Sequence, residues 1–238
     1  MKVTIIDYGR SNLLSVQRAL AACGAGSQLA RRAKDVLAAD MLVLPGVGAF
    51  ADGMAALERM GLVDAIRQKV LAGTPMLGIC LGMQLLFDAS DEGGVHRGLG
   101  LVPGRVEKIS PLDIIGARQP VPHIGWAPLL PAGGRQGFGG TPFAGLRPRQ
   151  EAYFVHSFAA RPADPADRLA NTLYGGRELC AAVLRGNLLG CQFHPEKSAG
   201  VGLTIIKGFL TLGEHAATRA CGAPHPQTPI PPPVAGTH

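Results

Sequence analysis

Three short runs, Val3-Thr4-Ile5-Ile6, Met41-Leu42-Val43-Leu44 and Met76-Leu77-Gly78-Ile79, are apolar almost without a break. A strand with one wetted face alternates apolar and polar residues, so an unbroken run implies burial on both faces. Stretches with helical spacing separate the runs. One is Asn12-Leu13 with Val16 and Leu20, for which Ser11 is the expected N-cap; the other is an amphipathic segment over residues 57–71. A further strand is expected over residues 27–31. Buried strands alternating with helices predict the α/β class: one central, mostly parallel sheet with helices on both faces.

After residue 98 the pattern changes to short β-type runs, over residues 100–109, 153–158, 179–184 and 188–193. These are expected to add strands, several of them antiparallel, to the same sheet. A last helix is expected over residues 201–212, and residues 133–140 read as a flexible loop insertion. With 238 residues the chain can bury a sizeable core. It reads as one domain over residues 1–213, followed by a Pro-rich segment, 214–238, with too little apolar surface to order itself.

The net charge of +6 is scattered. Its densest cluster, Arg31-Arg32 and Lys34, has no aromatic residues interleaved, so a solvated face is expected rather than a nucleic-acid footprint. The five cysteines are odd in number and form no Cys-x-x-Cys pair. That argues against a disulfide framework or a zinc site and fits a reducing compartment. The chain opens directly on a strand pattern, so no leader is expected, and no apolar run is long enough to cross a bilayer. A cytoplasmic protein without membrane or nucleic-acid partners is expected.

The chemistry is concentrated in three segments. In Gly78-Ile79-Cys80-Leu81-Gly82-Met83-Gln84 an apolar strand runs into a glycine-flanked cysteine, with a helical pattern directly after it. Such a turn presents a thiol beside free backbone N–H groups. In Cys191-Gln192-Phe193-His194-Pro195-Glu196 a histidine and a carboxylate are separated by one proline, which biases the backbone to extension. Glu196 can then fix one imidazole nitrogen and leave the other to act as a base towards Cys80. Pro45-Gly46-Val47-Gly48 ends the second strand and frees its backbone to approach a substrate oxyanion. In a parallel sheet all three segments end at the carboxyl edge, where ligands bind.

Together these motifs resemble the class I (triad) glutamine amidotransferases. Within that class the chain resembles the glutaminase subunits of imidazole glycerol phosphate synthase. The further marks are Ile6-Asp7-Tyr8-Gly9 with Asn12-Leu13, Pro45 to Phe50, His123-Ile124-Gly125-Trp126, Tyr153 to Ser157, Tyr174-Gly175 with Ala181-Ala182-Val183, and Lys197-Ser198 after the triad. The resemblance covers residues 3–212 in order. Ser11 stands where the family usually has glycine, and Ala127 where asparagine is common. Both bear on coupling to a partner rather than on the chemistry.

The resemblance implies a Cys80–His194–Glu196 triad and oxyanion donors from Leu81 and the Val47-Gly48 segment. It also implies a glutamine site formed by Gln84, Glu92 and the segment His156-Ser157-Phe158. No metal or organic cofactor is implied. The expected partner is a (β/α)8-barrel cyclase that receives the ammonia, contacted through Asn12, Trp126, Tyr153 and Lys197. Three alternatives remain at this point: a glutaminase serving another synthase, a thiol hydrolase of related fold, and a catalytically idle binding subunit.

Overall fold

The computed structural model describes residues 2–220 apart from Gly133. Its main sheet has eight strands. From one edge these are β2 (Ser27–Ala30), β1 (Val3–Ile6), β3 (Met41–Gly46), β4 (Met76–Cys80), β14 (Leu188–Cys191), β13 (Arg177–Arg185), β12 (Arg168–Tyr174) and β9 (Leu130–Pro131). The first five are mutually parallel and the last three continue antiparallel.

The unbroken apolar runs have the predicted consequence. Ile6, Leu42 and Leu44 pack into one core beneath the sheet, while Val3, Ile5, Met41 and Val43 pack into a second core above it. The first core is closed by α3 (Phe50–Arg59) and α4 (Val63–Leu71), with the short α2 (Ala33–Leu37) at its edge. The second is closed by α1 (Leu13–Ala22) and α6 (Ala199–Ala220).

Several boundaries differ from the sequence reading. The N-cap of α1 is Asn12, whose Oδ1 accepts from the Ser15 N–H at 3.4 Å, not Ser11. The helix expected over 57–71 is two helices, because Gly61 adopts φ +63 and the Leu62 N–H turns back to the Leu57 carbonyl at 3.0 Å. The last helix runs eight residues past its expected end at 212, to Ala220. The expected disordered segment therefore begins inside a helix, and residues 221–238 lie outside the described part of the chain.

The later strands also do not all join the main sheet. β7 (Val102–Lys108) and β11 (Phe158–Pro162) pair in a separate four-stranded sheet with β5 (Phe87–Ser90) and β6 (His96–Arg97). β8 (His123–Pro128) and β10 (Glu151–His156) form an antiparallel pair of their own. The segment read as a flexible insertion is anchored to the core: Phe138 is buried and stacks edge-on against Phe143 with centroids 5.5 Å apart.

Candidate active site

β4 ends at Cys80, whose register partner on β3 is Gly46. Cys80 takes φ 54 and ψ −112, a conformation that is strained for a residue with a side chain. The strain persists because its surroundings are packed backbone to backbone. A Cβ on Gly82 would collide with the Leu44 carbonyl, so only glycine lets this turn lie against β3. The helix after Cys80 is a single turn, α5 (Leu81–Gln84), before the chain leaves for β5. Its contribution at Cys80 is therefore its free first amides rather than a long helix dipole.

His194 lies three residues beyond β14, the parallel neighbour of β4, which brings it to the same edge as Cys80. Its Nδ1 lies 2.7 Å from Glu196 Oε1, and both side chains are almost fully buried. The turn that carries them is locked by Ser198. Its Oγ donates to the His194 carbonyl at 2.7 Å and accepts from the Tyr153 N–H at 3.0 Å. Burial alone would push the His194 pKa down, but the Cys80 sulfur and the Glu196 carboxylate outweigh it and raise it to about 9. His194 Nε2 is closed to solvent and has no hydrogen-bond partner among the described residues. The site therefore has an imidazole beside the sulfur that can take the thiol proton and hold it, oriented by a buried carboxylate.

Cys80 and His194 share a cavity of about 350 Å³. Its lining includes every oxyanion and substrate residue expected from the sequence: Val47, Gly48, Leu81, Gln84, Glu92, His156, Ser157 and Phe158. Pro122, which carried no sequence signal, also lines it, as does Val155, which lies inside the Tyr153–Ser157 motif but had no site role expected of it. Several of these residues are already engaged. The Val47 N–H donates to the Arg10 carbonyl at 2.7 Å, so the expected Val47 donor is taken in this state, while the Gly48 N–H makes no hydrogen bond among the described residues. Gln84 donates to the Phe158 carbonyl and to Gln192 Oε1, both at 3.0 Å, leaving its own Oε1 for a ligand. Glu92 lies in the turn between β5 and β6. Its Oε2 accepts from the Phe50 N–H at the start of α3 at 2.7 Å, so it is fixed in place with a second oxygen to spare.

His156 is not a base at neutral pH. Burial drives its pKa down to about 4. Its Nδ1 donates to the Phe158 carbonyl at 2.9 Å, and its Nε2 lies 3.2 Å from His123 Nδ1, which must then be the donor. His123 in turn stacks on Tyr174 with centroids 4.2 Å apart. The pair is thus held in one arrangement, and His156 presents a wall of the cavity rather than a base. Gln192, which sequence reasoning passed over, is fully buried and places its Nε2 3.8 Å from the Cys80 sulfur.

The four expected interface residues lie outside the cavity lining. Trp126 and Tyr153 are cross-strand partners on β8 and β10 with ring centroids 6.0 Å apart, and Trp126 is 52% exposed. Asn12 and Lys197 are exposed as well. A second depression, about 390 Å³, is bounded by Lys108, Arg168, Arg177 and Cys180, but burial pushes that thiol up to about 12 and it has no histidine beside it. Among the described residues no group of three His, Cys, Asp or Glu side chains could hold a metal ion.

The profile of the class-I glutamine amidotransferase family matches residues 4–211. An imidazole glycerol phosphate synthase subunit HisH 1 from Legionella pneumophila is 44% identical over 210 residues, covering 88% of this chain and 99% of that protein. An imidazole glycerol phosphate synthase subunit HisH from Moorella thermoacetica is 45% identical over 214 residues, covering 90% and 96%. Among solved structures, PurLQS from Thermotoga maritima superposes with a TM-score of 0.64 at 19% identity, over 88% of this chain and 97% of the matched one. At that identity the likeness is one of fold.

Proposed function

The chain belongs to the class-I glutamine amidotransferase family, and from that premise we propose that it is the glutaminase subunit of an imidazole glycerol phosphate synthase. The observation that carries this reading is the identity of 44–45% with HisH subunits along 88–90% of the chain. The buried His194–Glu196 pair, held at the cavity wall beside Cys80, supplies the chemistry that such a subunit needs.

In this mechanism the Cys80 thiol gives its proton to His194 Nε2, and the sulfur attacks the side-chain amide carbon of glutamine. The C=O π bond opens to an oxyanion held by backbone N–H groups of Leu81 and Gly48. Protonated His194 then delivers its proton to the departing nitrogen, the C–N bond breaks, and ammonia leaves a γ-glutamyl thioester on Cys80. Water enters, His194 takes one of its protons as its oxygen bonds to the thioester carbon, and the C–S bond then breaks to release glutamate and the Cys80 sulfur, which recovers its proton from His194. Glu196 holds His194 in the tautomer that both half-reactions require. Gln84 Oε1 and the free oxygen of Glu92 are placed to receive the substrate ammonium.

Ammonia released to neutral water is protonated and loses its nucleophilicity, so it passes directly to a synthase partner. The proposed partner is a (β/α)8-barrel cyclase that uses it to form imidazole glycerol phosphate and an aminoimidazole carboxamide ribonucleotide. Trp126 with Tyr153, flanked by Asn12 and Lys197, forms the docking face, because each aromatic combines a large apolar body with one polar tip. Among the described residues no helix is long and apolar enough to cross a membrane.

The test is glutamate release measured with and without the cyclase and its nucleotide ligand. Stimulation by this cyclase and by no other ammonia-using synthase is expected. Stimulation by a different synthase alone would assign the chain to another pathway.

A further inference from the structure

Four of the six buried polar atoms without a partner among the described residues belong to Tyr8, Ser11, His194 and Glu196. The last two are in the proposed triad. Tyr8 is 3% exposed, and its hydroxyl oxygen lies against the Cα of Gly46, in the space that a Cβ there would fill. The same Cβ would lie 3.0 Å from Gly82 N and 3.0 Å from Leu81 Cβ. The phenol tip therefore sits where the end of β3 meets the first residues of α5, and Gly46 is the register partner of Cys80 itself.

A phenylalanine would fill this space without burying an unsatisfied O–H. Buried polar groups without partners are rare and destabilising, and those that persist beside a nucleophile call for a functional account. Burial first, and then the proximity of Cys80, push the Tyr8 pKa up, so the phenol stays protonated and remains a donor throughout the working pH range. Negative charge arises during the reaction on the Cys80 sulfur and on the adjacent oxyanion. A neutral O–H dipole already lodged at the junction of β3 and α5 can turn towards that charge without waiting for solvent to reorganise.

We propose that Tyr8 is a positioning residue for acyl transfer, wedging Gly46 against Leu81–Gly82 and presenting its O–H dipole at the junction of β3 and α5. It rests on the glutaminase reading for its reaction, but its effect on the cysteine can be read without glutamine. The hydroxyl does not line the substrate cavity, so it acts on the turn and not on the substrate.

Tyr8→Phe removes one oxygen and tests this in the full chain with its synthase partner. The turnover number should fall about fivefold or more while KM for glutamine stays within about twofold, the split expected when only transition-state stabilisation is lost. The melting temperature should stay level or rise, since the unsatisfied hydroxyl is gone. Alkylation of Cys80 by iodoacetamide at pH 7, followed by mass spectrometry of the Cys80 peptide, should slow about threefold or more. Unchanged turnover together with unchanged alkylation would overturn the proposal. If wild-type protein hydrolyses no glutamine, the glutaminase reading falls, and the alkylation comparison still decides the role of Tyr8. Gly46→Ala provides a second variant, because its methyl would displace the hydroxyl. Adding Tyr8→Phe to it should cause no further loss, and multiplicative losses would count against the coupling.

Discussion

Gln84 and Gln192, 108 residues apart, are joined by a hydrogen bond of 3.0 Å between their side-chain amides, and Gln192 carries this contact on to the Cys80 sulfur at 3.8 Å. The pair ties the single turn after the nucleophile to the strand that delivers His194. Both residues are buried, Gln192 completely. Gln192→Leu should leave a Gln84 donor unsatisfied and destabilise the fold by about 1–3 kcal/mol, read as a shift of the urea midpoint with an unchanged slope. Alkylation of Cys80 should change in the same variant, because the sulfur loses its amide neighbour. A variant as stable as wild type would show that the amide chain is not holding the turn.

Glu196 enforces one tautomer of His194 across a 2.7 Å contact. Glu196→Gln keeps the size but removes the charge, and should lower the turnover number by about 10²–10⁴-fold with the circular dichroism spectrum intact. The wild-type rate should decline on the alkaline side near pH 9, where His194 loses the proton that ammonia release requires. Because the His194 pKa is raised from 6.5 to about 9 on folding, its contribution to stability is complete below pH 6.5 and disappears as the pH rises through 9. In Glu196→Gln both the rate limb and this stability loss should move to lower pH. Limbs that do not move would dissociate Glu196 from His194.

Glu92 is held by the Phe50 N–H, so a neutral amide can occupy its place without moving it. Glu92→Gln should raise KM for glutamine by about 10–100-fold, the loss expected for a hydrogen bond to a charged group. Turnover at saturating glutamine should change little. An unaltered KM would remove Glu92 from the substrate site.

Trp126 is 52% exposed and contributes little to the core, so Trp126→Ala should leave the melting temperature near that of wild type. If β8 and β10 form the docking face, binding to the cyclase should weaken by about 2 kcal/mol, roughly 30-fold in Kd. Titration calorimetry measures this directly, and equal affinity would move the interface elsewhere.

The parts of the fold and site that were readable in the sequence are those set by local pattern. Continuous apolar runs required a sheet buried on both faces, and the His194-Pro195-Glu196 spacing was sufficient to bring imidazole and carboxylate together. What was not readable depended on distant partners or on one backbone angle. Ser11 and Asn12 can both cap a helix, and only the chain's direction of entry selects Asn12. Residues 57–71 keep helical spacing across Gly61, whose positive φ nevertheless divides them. The helix after Cys80 stops after one turn because Phe87 to Ser90 pair with Val102 to Val106 in a second sheet, a contact no window around Cys80 contains. Gln192 reads as an ordinary strand residue until its partner 108 positions away is known. The Val47–Gly48 segment lines the cavity as its place at the end of a strand suggested, but the hydrogen bond from Val47 to Arg10 depends on how two loops meet.

The central claim is that Cys80 is acylated by glutamine. Mass spectrometry of the acid-quenched steady state, in the presence of the cyclase and its nucleotide ligand, tests it most directly. The account predicts that the Cys80 peptide gains the mass of glutamine less ammonia, and that the adduct disappears in Cys80→Ala together with ammonia release. Glutamine hydrolysis that continues in Cys80→Ala, or an adduct on any other residue, would contradict it.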